Sequence, residues 1–175
     1  MTTNDNSYPK ALPAPPDNNT TITTDLINSC VSASRQSPRK RIILPLHKTP
    51  EASLHRMLNA MQPGSYIQPH RHLFPPKAES VIVLQGAIYV FIFHENGSID
   101  EIQTIEAGSL NIGIDSEPGV FHTFVAIKED TVLFEVKPGP YNQMNDKDFA
   151  PWAPKEGAHG AKEYLDHLYE MGNLC

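Results

Sequence analysis

Gly64-Ser65-Tyr66-Ile67-Gln68-Pro69-His70-Arg71-His72 is the stretch on which the fold turns. It is followed by Glu79 and Gly86, and later by Pro118-Gly119-Val120-Phe121-His122. On a strand, His70 and His72 project to one face while Arg71 points away. Pro69 suits an edge or bulged position. Glu79 opens the next apolar run, so an antiparallel neighbour brings its carboxylate beside the two imidazoles. His122 opens another run after the Pro118-Gly119 turn, as a ligand from a facing sheet must. Three neutral imidazoles and one carboxylate are a donor set for a borderline divalent metal, and the pattern predicts a metal site in a small β-barrel.

Outward from this stretch, the chain from Arg41 onward is a series of short apolar runs separated by turn residues. Ile42 to Leu46, Leu54 to Met61, Tyr66 to Arg71, Glu79 to Gln85, Ala87 to Phe93, Ile99 to Ile105, Ser109 to Ile114, Phe121 to Ala126 and Thr131 to Lys137 have strand length and β-branched or aromatic enrichment. Asn96-Gly97 is a hairpin turn, since both residues tolerate positive φ. The run Leu54 to Met61 also suits a helix. The expected fold is mainly β, a double-stranded β-helix or jelly-roll barrel, with a short N-terminal helix and a C-terminal helix. Thr24 is the expected cap of the first helix, which carries Leu26, Ile27, Cys30 and Val31 and stops before Pro38. The second is expected over Ala161 to Met171, stopped by Gly172 and burying Tyr164, Leu165, Leu168 and Tyr169.

The expected organisation is an arm over 1–23 that is mobile or draped, a barrel with its preceding helix over 24–141, and an irregular segment with a helix over 142–175. At 175 residues, 39% hydrophobic and with sixteen Pro, the chain has room for one good core and many turns. A formal charge of −6 argues against nucleic acid or an anionic membrane as partner. The basic cluster Arg35, Arg39, Lys40 and Arg41 reads first as a solvated segment, and beside a pocket it would suit an anionic metabolite. No run has signal-peptide or membrane-span character, so a cytoplasmic location is expected. Cys30 and Cys175 read as reduced thiols.

The run from Gly64 to Gly86 resembles the first cupin motif, and Pro118-Gly119-Val120-Phe121-His122 the second. Ser37-Pro38-Arg39-Lys40-Arg41, Lys137-Pro138-Gly139-Pro140-Tyr141 and Phe149-Ala150-Pro151-Trp152-Ala153-Pro154 add a similarity to the WbuC-type cupin-fold metalloproteins. The resemblance implies a metal on His70, His72, Glu79 and His122, and an association with bacterial surface-polysaccharide gene clusters. The chain departs from the cupin pattern in a longer loop from His72 to Glu79 and in Ala126, where the second motif ends in Asn.

The expected function is a metal-dependent enzyme, an isomerase or oxidoreductase, acting on a sugar or other small polar metabolite through one Fe, Zn, Mn or Ni ion. The alternative is a non-catalytic metal-assisted binding or sensing module. Tyr66 shares parity with the His pair and is either a proton donor or a packing residue. Gln68, and Arg56 or Asn59 if their run is a strand, are further candidates for the cavity wall. Trp152 either caps the barrel mouth or anchors the tail. Two-sheet barrels of this kind have edges to cover, so a homodimer is expected.

Overall fold

The computed structural model describes residues 8–142 and 146–174. Thus part of the N-terminal arm and Cys175 lie outside the described residues. Two antiparallel five-stranded sheets face each other. Their strands are β1 (Arg41–Pro45), β2 (Leu54–Met61), β3 (His70–Arg71), β4 (Glu79–Gln85), β5 (Ala87–Phe93), β6 (Ile99–Glu106), β7 (Gly113–Ser116), β8 (Phe121–Ala126), β9 (Thr131–Pro138) and β10 (Asp148–Phe149). One sheet runs β1-β2-β9-β4-β7 and the other β10-β3-β8-β5-β6. Apart from the β1–β2 and β5–β6 pairs, consecutive strands exchange between the sheets, as in a double-stranded β-helix. The expected mainly-β barrel is the fold, with helices α1 (Thr24–Gln36) and α2 (Ala161–Asn173) outside it.

The barrel interior is divided along its axis. At one end Met61, Ile67, Val81, Val83, Ile88, Val90, Phe124 and Leu133 form an apolar core. At the other, the same strand faces carry Asn59, Glu79, His122, Glu135 and Lys137, all buried. In β4 the alternation is strict, with Glu79, Val81 and Val83 inward and Ser80, Ile82 and Leu84 outward. The run Leu54 to Met61 is a strand, so Asn59 points inward and Arg56 is exposed.

Each helix covers the outer face of one sheet. Thr23, not Thr24, caps α1, its hydroxyl oxygen accepting from the Leu26 amide at 3.2 Å. The helix stops at Ser37, which is extended because Pro38 follows. Cys30 and Val31 pack there with Ile42, Leu44 and Leu58. The described part of the arm is draped across β1, where the Leu12 amide donates to the Ile43 carbonyl at 2.8 Å. All six residues of β8 are buried, because α2 and the segment before it cover the side that faces away from the barrel. Trp152 belongs to that cover, packing on Phe93 and Phe121 with centroids at 5.0 and 5.9 Å. It anchors the tail rather than capping a mouth, and it rests directly on Gly97, the left-handed residue of the hairpin turn (φ +87°).

Three element boundaries differ from expectation. Tyr66 to Pro69 is not a strand; it is bound by the Thr123 hydroxyl, which donates to the Ile67 carbonyl at 2.7 Å, and by the tail, whose Ala150 amide donates to the Pro69 carbonyl at 2.9 Å. The expected strand Ser109 to Ile114 is displaced to Gly113–Ser116. Gly172 does not stop α2 but lies inside it, against Tyr89: an added Cβ would stand 2.3 Å from the ring. Close packing outweighs helix propensity at that position. Gly172→Ala is therefore expected to destabilise the fold by about 1–3 kcal/mol in urea denaturation, although alanine favours an isolated helix. Among the described residues, no helix is long and apolar enough to cross a membrane.

Candidate metal centre

Strand register brings the sequence-distant ligands together. His70 is paired directly opposite His122 across β3 and β8, so both rings enter the barrel from one sheet. Glu79 enters from the first residue of β4 in the other. The long loop after His72 folds back on itself: the Lys77 and Gly119 amides both donate to the His72 carbonyl, at 3.4 and 3.1 Å. This closure returns the chain to the barrel wall at Glu79 despite the added length. The donor atoms of His70, His72, Glu79 and His122 all lie within 4.8 Å of one another, and all four residues are buried.

The imidazoles are oriented alike. His70 Nδ1 lies 3.0 Å from the Gln68 carbonyl, His122 Nδ1 2.9 Å from the Val120 carbonyl, and His72 Nδ1 is bonded to the Asp146 carbonyl. A carbonyl only accepts, so each Nδ1 carries the proton and each Nε2 presents a lone pair to the interior. Among the described residues, the Nε2 atoms of His70 and His72 have no hydrogen-bond partner. His122 Nε2 faces Glu79 Oε2 at 3.1 Å, and His72 Nε2 faces Glu79 Oε1 at 3.4 Å. Lone pairs of three imidazoles and a carboxylate converging in a buried site repel one another unless a cation lies between them. The residues fit a divalent transition metal.

The charge states agree with ligation. Burial, reinforced by the nearby Lys147 ammonium, holds the His70 imidazole well below its usual range, so it is neutral. Burial pushes the Glu79 carboxyl up, but the neighbouring charges, the buried Lys137 ammonium first among them, more than reverse this and hold Glu79 well below the usual carboxylate range.

Behind the ligands is a buried ionic network. Lys137 Nζ lies 3.3 Å from Glu79 Oε1, 3.1 Å from Glu135 Oε1 and 3.5 Å from Asp146 Oδ2. Lys77 reaches Asp146 Oδ1 at 2.9 Å and the Pro140 carbonyl at 2.8 Å. Burial alone would lower the Lys137 pKa, yet its three carboxylate neighbours raise it above the ordinary lysine range. Burial and the charge of Glu79 push the Glu135 carboxyl up. Asp146 serves twice, its side chain joining the two lysines and its carbonyl fixing the His72 tautomer.

Tyr66 is placed elsewhere. With Tyr66 to Pro69 out of the sheet, strand parity with the His pair ends at Pro69. The phenol donates to the Pro154 carbonyl at 2.7 Å, packs edge-on against Tyr164 at 6.1 Å, and is pushed up in pKa by burial. It is a packing residue of the outer cluster with Phe91 and Leu165, and the proton-donor role is withdrawn. Gln68 supports the tail, donating to the Ala150 and Ala153 carbonyls. His94, His159 and His167 are exposed and outside the cluster, whereas His47 and His55 stack on each other with centroids 4.0 Å apart.

Beside the network lies a cavity of about 670 Å³, walled by β1, β2, β9 and the segment before α2. Arg39 and Arg41 line it but are bound to Glu156, at 2.7 and 2.6 Å. The basic cluster is thus partly a structural clamp on the tail. Burial pushes the Glu156 carboxyl up, but Arg39 and Arg41 more than reverse this and hold it below its ordinary value. A carboxyl lowered on folding stabilises above its unfolded pKa and loses that contribution as pH falls through the folded value. The wild type is expected to lose stability below about pH 4.5, and Glu156→Gln to flatten this limb in denaturation midpoints measured across the acid range.

Comparison with known proteins adds little beyond the barrel. Residues 22–105, just under half of the chain, match a domain of unknown function, DUF6016. No curated protein matches the sequence. Among solved structures, the chain is similar to KdgF from Halomonas sp., at 18% identity and a TM-score of 0.46, covering 59% of this chain and 82% of that one. It is similar to a Bacillus subtilis oxalate decarboxylase variant at 19% identity and a TM-score of 0.49, covering 74% and 32%. The capsular polysaccharide assembling protein CapF from Staphylococcus aureus gives 21% identity and a TM-score of 0.48, covering 61% and 28%.

Proposed function

We propose that this chain is a cupin-type metalloprotein that holds one divalent transition metal on His70, His72, Glu79 and His122 and acts as a metal-dependent enzyme on a small polar metabolite. The observation that carries this reading is the common orientation of the three imidazoles, each Nδ1 fixed by a backbone carbonyl so that each Nε2 lone pair meets the Glu79 carboxylate. A metal there would supply Lewis acidity and lower the pKa of a bound water or hydroxyl. The chain supplies the rest: Lys137 holds Glu79 ionised, and the polar end of the barrel offers Glu135 and Lys137 to a neighbouring cavity. The resemblance to WbuC-type proteins supports a sugar of surface-polysaccharide metabolism as the metabolite.

A second reading is a metal-assisted binding or sensing module. It is favoured by the enclosure of the ligands, whose imidazoles are 2% exposed. Elemental analysis of the purified protein supplied with iron, manganese, nickel and zinc tests the common ground. About one equivalent of metal per chain is expected, and its removal by a chelator is expected to lower the melting temperature by mass action. A chain that binds none of the four metals would overturn both readings. Turnover by the loaded protein then separates enzyme from binding module.

A further inference from the structure

The 670 Å³ cavity contains two groups that the ionic network leaves unused. Of its cations, Arg39 and Arg41 are held by Glu156, Lys137 is shared among three carboxylates, and Lys10 is exposed. Lys147 is different: it lines the cavity, is partly buried, and makes no hydrogen bond or ion pair with any described residue. Burial, with the charges of Lys137 and Arg41, lowers its pKa to about 8 although the charges of Glu79 and Glu135 oppose the shift. An ammonium in that position is stabilised by an anion.

The second group is Asn59, 7% exposed and on the same cavity wall. Its Nδ2 donates to Glu135 Oε2 at 3.4 Å, which turns Oδ1 the other way, and Oδ1 is buried with no partner among the described residues. An unsatisfied buried acceptor costs roughly 1–3 kcal/mol, and a donor on a ligand would remove that cost. Met57, Ile67 and Phe149 give the cavity apolar wall between these polar points. The volume is in the ordinary range for a metabolite pocket, about 300–1,000 Å³. None of the four metal ligands lines it.

We propose that this cavity binds a small hydroxylated carboxylate, its carboxylate on Lys147 and one of its hydroxyls donating to Asn59 Oδ1. One unpaired ammonium beside Glu135 and Asp146 matches a single negative charge better than a doubly charged phosphate. The proposal rests on the small-molecule part of the function above and supplies the ligand class for it.

Isothermal titration with D-gluconate, with D-glucitol (the hydroxyls without the charge) and with hexanoate (the charge without the hydroxyls) tests it on metal-loaded and chelator-treated protein. Gluconate is expected to bind at least about tenfold more tightly than either control, the scale of a hydrogen bond to a charged group. Lys147→Met is expected to reduce gluconate to the level of glucitol, and Asn59→Leu to reduce it to the level of hexanoate. Unchanged metal content and circular dichroism show that each variant is folded. Gluconate binding no tighter than glucitol, or unaltered by Lys147→Met, overturns the proposal. Full metal content without gluconate binding sinks this inference alone, and Lys147-dependent binding on a chain that holds no metal sinks the metal reading alone.

Discussion

His122→Gln is expected to purify with less than about a tenth of the wild-type metal content, because it removes one of only four donors and leaves the cage open on the β8 side. The ring is fixed by the Val120 carbonyl at Nδ1, and its Nε2 faces Glu79 at 3.1 Å. A glutamine at that place has neither an aromatic ring to fix nor a nitrogen lone pair to offer. Elemental analysis of the variant against wild type, with circular dichroism to confirm the fold, is the measurement. Wild-type metal content in His122→Gln would mean that the ion, if present, sits elsewhere. An imidazolium at His122 paired with Glu79 would then be the better account of the 3.1 Å contact.

The largest effect on stability is expected at Lys137. Its ammonium is 6% exposed and is the cation shared by Glu79, Glu135 and Asp146. Lys137→Met keeps most of the volume and removes the charge, which leaves three buried carboxylates with less compensation. Breaking a buried pair from one side costs about 3–5 kcal/mol, and that is the loss expected in urea denaturation of metal-free protein. Adding Glu135→Gln to the same chain is expected to restore part of it, since one of the unpaired charges is then gone. A loss below about 1 kcal/mol would show that water or protonation relieves the cluster, and that the network is not what holds this end of the barrel together.

Much of this architecture could be read from the chain before any coordinates. The short β-branched and aromatic runs, such as Glu79 to Gln85 and Phe121 to Ala126, together with the Asn96-Gly97 turn, specify strands and a hairpin, because such residues fit a pleated, buried surface. His70, His72, Glu79 and His122 were legible because ligand chemistry restricts both residue type and spacing. Tyr66 was misplaced for a specific reason: parity holds only inside a strand, and hydrogen bonds to Thr123 and the tail keep Tyr66 to Pro69 out of one. Glu135 and Lys137 were missed although a signal existed, two charged residues at the inward positions of a strand that begins Thr131-Val132-Leu133. Asp146 and Lys147 gave no such signal. Their importance comes from where the tail docks, and nothing local in Asp146-Lys147-Asp148 specifies that.

The docking of the tail has a consequence for biogenesis. The segment matching DUF6016 ends at residue 105; by then three of the four candidate metal ligands have been synthesised, but His122 has not. The carbonyl that orients His72 belongs to Asp146, later still. On a ribosome, the proposed cage is incomplete until residue 146 has emerged, and a product terminated before it would leave the His72 tautomer unfixed. A metal on the proposed cage would therefore mark a chain whose tail has already docked: its last strand, β10, pairs with the strand that carries His70.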